Sequence, residues 1–400
     1  MPVNDETMKI ALIIERVNIV LGGAERSVME LSTTLNSLGH EVDILAAKGQ
    51  TDAKNIHLLC LDRGGKRTPF HTFSKAVKKH IYRNRYDIIH SVLPFGFSDV
   101  YQPRGGCYVE AIRQNAASYE NKILTHYKRV TAFANRRRTV LALAERKLCK
   151  RDNGPVIAAL SNYVAEQFRN YYKVPNERIE IIPNGIRIHK YTDASEADHL
   201  RSQILFKLEL KEADDPIFFL FVANNFRLKG LASLIKALHI ARTRYGAHHA
   251  YLVLAGHGRS YPYRLLARKL CVHKKIVFLG PIRHMHNIFS ITNAAVLPTY
   301  YDPSSRFILE ALAGNKPVIT TRFNGAVDLF EDGRHGIVID HPRNIEALGR
   351  AIAHFTNTDT IAAASQAIRE DNLEDAVNIR RAAEQLESLY ETILDRKGKS

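Results

Sequence analysis

Short apolar runs, set apart by helical spacing, constrain this chain more than any other feature. The first is Lys9-Ile-Ala-Leu-Ile-Ile14, continuous and rich in β-branched residues. A run without polar alternation reads as a strand covered on both faces, as in a parallel sheet. A Gly22-Gly23 turn follows, then Val28, Leu31, Leu35 and Leu38 at helical spacing, closed by Gly39. Val42-Asp-Ile-Leu-Ala-Ala47 repeats the strand signal, as do residues 86–92, 156–160 and 179–182, the last ending in a Pro183-Asn184-Gly185 turn. Residues 190–215 turn polar. The alternation then resumes at 217–222, 251–255, 276–279, 294–297, 317–319 and 337–339. Strands alternating with helices build doubly wound parallel sheets that bind ligands outside the strands' carboxyl ends. The chain therefore reads as α/β, with two Rossmann-like domains at 1–190 and 191–375. A C-terminal segment, 376–400, carries Ile379, Ala383, Leu386, Tyr390 and Ile393 on one helical face and is expected to pack back on the body.

Composition narrows the function. Of 400 residues, 45% are hydrophobic and 24% charged, which excludes a disordered chain, a collagen-like fibre and a coiled-coil rod. The formal charge of +16 points to polyanionic partners. Cys60, Cys107, Cys149 and Cys271 lie far apart without a C-x-x-C pair, so neither a zinc module nor a disulfide framework is indicated. No run approaches the ~18 apolar residues of a membrane span, and the polar first residues read as neither signal nor transit peptide. A cytoplasmic chain with peripheral membrane contact is expected.

Several motifs fall at strand ends. Gly22 and Gly23 fit a phosphate approaching a helix N-terminus, or an ordinary tight turn. Gly256-His257-Gly258 is half of a dinucleotide fingerprint and lacks the third glycine. Arg227 and Lys229 place two cations where a helix opens; they are unfavourable there unless an anion is bound, and otherwise they are solvated surface charges. Asp302-Pro-Ser-Ser-Arg-Phe-Ile-Leu-Glu310 leads an acid into a helix whose first turn offers amides, with a second acid eight residues on. Either the carboxylates accept sugar hydroxyls, or Asp302 caps the helix and Glu310 is solvated. His90 and the Tyr300-Tyr301 pair read as structural. Without H-E-x-x-H or D-x-D, no metal or other cofactor is expected.

The combination resembles the family 4 glycosyltransferases. The matching pieces are Gly-Gly-Ala-Glu-Arg (22–26), Gly39-His40-Glu41-Val42, Ile182-Pro-Asn-Gly-Ile186, Arg227-x-Lys229-Gly230, Leu254-Ala-Gly-His-Gly258, Val277-Phe-Leu-Gly280 and 302–319. They stand in family order over about residues 8–345. The resemblance implies the GT-B fold, two facing Rossmann-like domains with the acceptor on the N-terminal side. It also implies retaining transfer of a hexose from a nucleotide-sugar. Arg227, Lys229 and the amides around Ser304, Ser305, Arg306 and Phe307 would hold the diphosphate. Glu310 would take the ribose, Asp302 the sugar, and Gly22 and Gly23 would approach the diphosphate from the other domain. The family carries two glutamates with seven residues between; here Asp302 replaces the first. Ser98-Asp99-Val-Tyr101 and Cys107-Tyr-Val-Glu110 resemble the lipopolysaccharide-core glucosyltransferases, which makes Asp99 the catalytic candidate and UDP-glucose and a glycolipid the expected substrates.

Segment 113–151 holds eleven lysines and arginines against Glu120 and Glu145. A solvated face normally mixes signs, so an anionic inner-membrane surface is the expected partner. A nucleic-acid-binding protein is the rival from another class, but the basic runs lack interleaved aromatics and no nucleic-acid partner is expected. A nucleotide-sugar epimerase of the same fold is the second rival.

Overall fold

The computed structural model describes residues 7–17, 22–61, 67–188, 193–282 and 284–398. It divides into two compact units. The first comprises 1–113, 126–187 and 378–400, the second 114–125 and 188–377. Residues 114–125 thus group with the second unit, although their place in the chain put them in the first domain.

The first unit is built on a seven-stranded sheet: β1 (Lys9–Val17), β2 (Glu41–Gly49), β3 (Ile56–Leu58), β4 (Ile88–Ser91), β5 (Val100–Tyr101), β6 (Val156–Ala159) and β7 (Ile179–Ile181), in the order 3-2-1-4-5-6-7. Every pairing is parallel. Ile10 is paired with Val42 on one side and Ile88 on the other, which explains the unbroken apolar run of β1. The order reverses between β1 and β4, and ligands of such sheets bind at that switch point. Strands β3 and β5 have only three and two residues, too few for a periodic signal.

The second unit repeats the plan with six parallel strands: β8 (Ile217–Val222), β9 (Ala250–Ala255), β10 (Ile276–Gly280), β11 (Ala294–Leu297), β12 (Val318–Thr321) and β13 (Gly336–Ile339), ordered 10-9-8-11-12-13. Its switch point lies between β8 and β11. The polar stretch after residue 190 contains a helix, Ala194–Leu208. Asp193 caps it through Glu196 N–H, and Ala197, Ile204, Leu205 and Leu208 form its buried stripe.

The C-terminal helix Ile379–Gly398 belongs to the first unit. Ile379, Ala383, Leu386, Tyr390 and Ile393 join a core with Ile10, Leu12, Val42 and Ile44. His90 Nδ1 lies 2.6 Å from the Tyr390 hydroxyl, and His40 Nε2 lies 2.8 Å from Glu387. Burial keeps the His90 imidazole neutral, pushing its pKa down to about 3. The basic helix Arg136–Cys149 is tied down by fully buried Glu145. That carboxylate accepts from the hydroxyls of Tyr101 and Tyr172 and from the Tyr108 N–H at 2.8–2.9 Å.

Candidate functional site

Two turns meet at the carboxyl ends of β8 and β11. In the first, residues 225–230, Lys229 N–H donates to Asn225 O, Gly230 N–H to Arg227 O and Leu231 N–H to Phe226 O. The turn is stitched to the chain after β11, where Tyr300 N–H donates to Leu228 O at 2.9 Å. Gly230 permits the close approach. Its φ is +79°, and a Cβ there would lie 2.0 Å from Pro298 O. Lys229 is thereby carried beside Asp302. Its ammonium donates to Asp302 Oδ2 at 2.6 Å and to Tyr301 O at 3.0 Å. An ammonium has three N–H donors, and these two contacts leave one to offer a ligand.

Asp302 is fixed from behind. Its N–H donates to Phe323 O and its carbonyl accepts from Gly325 N–H, each at 2.9 Å. Asn324 extends the brace: its Oδ1 accepts from the N–H groups of Ser305 and Ala326, and its Nδ2 donates to Thr320 Oγ1. Asn324 is fully buried, and sequence reading did not single it out. The Asn324-Gly325 turn dipeptide was its only local signal.

The helix Arg306–Ala313 opens here, and its N-cap Ser305 makes no side-chain cap bond. Ser304 is 6% exposed, and its Oγ has no hydrogen-bond partner among the described residues. A buried hydroxyl left unsatisfied costs free energy unless a ligand meets it. Arg306 and Glu310, one turn apart, are paired at 3.7 Å, and Phe307 is buried against Phe289. Lys229, Asp302, Ser304, Ser305, Arg306, Phe307 and Glu310 therefore gather on the two turns and the helix that meet at this switch point. Tyr300 and Tyr301 are buried, in line with a packing role.

Arg227 points elsewhere. Its guanidinium donates to Asn115 O at 2.8 Å and to Ser118 Oγ, and it stacks 3.8 Å from the Tyr119 ring centroid. Arg343 donates to the carbonyls of Ala117 and Tyr119, and Lys236 pairs with Glu120. These three cations hold residues 115–120 on the second unit. Arg227, expected from the sequence to be a phosphate ligand, instead has its planar donor face engaged by this turn.

The geometry also corrects the catalytic assignment of Asp99. The residue precedes β5, and its Oδ2 accepts from Ile89 N–H at 2.8 Å near the start of β4. In a parallel sheet that is the amino edge, opposite the ligand edge. Its Oδ1 pairs with Lys397 of the C-terminal helix at 2.7 Å. The first unit's ligand edge instead carries Arg104, whose Nη1 donates to Asn184 Oδ1 at 2.6 Å. Gly22 and Gly23 also lie there, opening the helix Gly23–Ser37 without a side-chain cap. Among the described residues, no helix is long and apolar enough to cross a membrane, and no His/Cys/Asp/Glu cluster fits a metal ion.

Residues 21–190 match the Glycosyltransferase Family 4 model, and residues 203–372 match Glycosyl transferases group 1. The lipopolysaccharide glucosyltransferase WaaG of Escherichia coli K12 is 22% identical over 338 residues, covering 83% of this chain and 85% of that protein. The crystal structure of WaaG superposes with a TM-score of 0.74 at 20% identity, over 95% of this chain and 99% of that one. Anabaena HepE in complex with UDP-glucose gives 0.67 at 15% identity, over 96% and 100%. With one glycosyltransferase model on each half and a full-length match of fold, the chain is a glycosyltransferase of GT-B architecture, built from a family 4 half and a group 1 half.

Proposed function

We propose that this enzyme moves a hexose, glucose from UDP-glucose, with retention of configuration, to a hydroxyl of a glycan or glycolipid such as a lipopolysaccharide core. The observation that carries the reading is the meeting of Lys229, Asp302 and the unpartnered Ser304 hydroxyl at the second unit's switch point. The names of the similar proteins, a lipopolysaccharide glucosyltransferase and a UDP-glucose complex, support the choice of donor and acceptor. As the glycosidic bond breaks, negative charge grows on the leaving diphosphate. Lys229 stabilises it through its remaining N–H, with the Ser304 hydroxyl and the amides of the uncapped helix turn, and no metal is needed. As the diphosphate draws the ammonium, Asp302 is freed to accept from hydroxyls of the sugar, and Glu310 takes the ribose hydroxyls.

The acceptor reading includes an anionic membrane surface on the cytoplasmic side. The helix Lys122–Val130 exposes Ile123, Leu124, Tyr127 and Val130 beside Lys128 and Arg129. Apolar side chains flanked by cations suit a helix lying in a lipid interface.

The test is a release assay in EDTA, with the chain given UDP-glucose with and without a lipopolysaccharide-core acceptor. Release of UDP that depends on acceptor and survives EDTA is expected. A strict requirement for Mg²⁺ or Mn²⁺ would show that the diphosphate grip is misassigned. Conversion of the nucleotide-sugar without acceptor would favour an epimerase.

A further inference from the structure

Residues 216–301 contain twelve lysines and arginines and not one aspartate or glutamate. Some of these cations are neutralised by acids from outside the stretch: Lys229 by Asp302, Lys236 by Glu120, Arg244 by Glu346 and Lys274 by Glu209. Arg268 and Lys269 have no ion-pair partner among the described residues, and both are exposed. They close the helix Tyr261–Lys269 of the second unit.

This helix is sharply two-sided. Tyr263, Leu266, Ala267 and Leu270 turn inward, with Tyr263 edge-on to Phe226. At 100° per residue, Tyr261, Leu265 and Arg268 fall along the centre of the opposite arc, with Arg264 and Lys269 on its flanks. Tyr261 is 70% exposed and Leu265 45%. An exposed aromatic and a leucine framed by three cations, without an acid, are not what a merely solvated helix presents.

Attraction of the anionic donor does not account for the arrangement. The helix starts near the carboxyl end of β9 and runs back toward the amino end of β10. A nine-residue helix is about 13 Å long, so Arg268 and Lys269 lie that far from the ligand edge. A nucleic-acid backbone would use the cations but would leave Leu265 without a partner. An anionic lipid interface takes both: headgroup phosphates meet the cations, and Tyr261 and Leu265 reach the acyl boundary.

We infer that the exposed arc of the helix Tyr261–Lys269 is a lipid-contacting face on the donor unit, distinct from the basic segment 113–151. The inference rests on the reading that the enzyme works at an anionic surface. One short helix binds weakly alone. A second contact on the same chain raises overall affinity through effective concentration.

The chain has no tryptophan, so Tyr261→Trp places the sole indole at the centre of the arc. With phosphatidylglycerol vesicles its emission is expected to shift to the blue, and with phosphatidylcholine vesicles to stay unchanged. R268E/K269E, which leaves the Arg264–Phe278 contact intact, should lower the partition coefficient at least ~10-fold, since each basic residue contributes ~1 kcal/mol near such a surface. R268Q/K269Q should fall between the two. The thermal shift produced by UDP should be unchanged in each variant, so loss of that shift would report failure of the donor site instead. Unchanged indole emission on vesicles that sediment the protein would overturn the inference. So would R268E/K269E sedimenting like the parent, or a blue shift with polyglutamate but not with vesicles.

Discussion

The two units each hold a lysine–aspartate pair of almost the same geometry. Lys229 and Asp302 are 2.6 Å apart in the second unit, and Lys397 and Asp99 are 2.7 Å apart in the first. The aspartates are about equally buried, at 14% and 15% side-chain exposure. Their surroundings set them apart. Asp302 follows β11 at the sheet's switch point, beside an uncapped helix turn and an unpartnered buried hydroxyl. Asp99 precedes β5 on the opposite edge, where it fastens the C-terminal helix to the sheet. Residue chemistry alone does not make a site; the edge of the sheet on which it is placed does.

The largest expected effect comes from breaking the first pair. Lys229→Ala should lower kcat at least ~100-fold, the usual scale for removing a donor that stabilises transition-state charge. A UDP-release assay reads this directly, and a near-normal rate would make Lys229 a surface cation. Thermal stability should fall as well, because Asp302, at 14% side-chain exposure, is left without its cation.

A buried carboxylate with no ion-pair partner among the described residues sharpens the contrast. Burial raises the Glu145 pKa from its ordinary 4.5 to about 7, against the opposing hydrogen bonds from Tyr108, Tyr101 and Tyr172. Between those values the folded state keeps a proton that the unfolded state releases. Stability is therefore fully present below pH 4.5, falls as pH rises and levels off above about 7. A rise of this size corresponds to roughly 3 kcal/mol. Denaturant melts of Glu145→Gln should lack that slope, since the Tyr101 hydroxyl can turn to accept from the amide. An unchanged slope would assign the pH dependence to other groups.

The smallest effect belongs to the second pair. Asp99→Asn keeps an oxygen for Ile89 N–H and loses only the attraction to Lys397, which is 46% exposed. A cost of about 1 kcal/mol in stability is expected, with kcat within a few-fold of normal. A kcat loss as deep as that of Lys229→Ala would restore Asp99 as catalytic.

Much of the fold was legible because buried parallel strands leave unbroken apolar runs. Ile217–Val222 and Ala294–Leu297 were bounded from sequence to the residue. The turns that carry Lys229-Gly230 and Asp302–Glu310 were legible for a related reason, since each follows a strand within a few residues. Two kinds of information were not local. The direction of Asp99 depends on β5, a two-residue strand that only its neighbours define. The engagement of Arg227 depends on residues 115–119, more than a hundred positions away, and no spacing rule announces such a contact.

Amide hydrogen exchange with and without UDP, in EDTA, tests the central claim most directly. Slowed exchange is expected across 225–230 and 302–310, with none across 88–101. Slowing confined to the first unit, or UDP bound without any change at 302–310, would contradict the placement of the donor at the second unit's switch point.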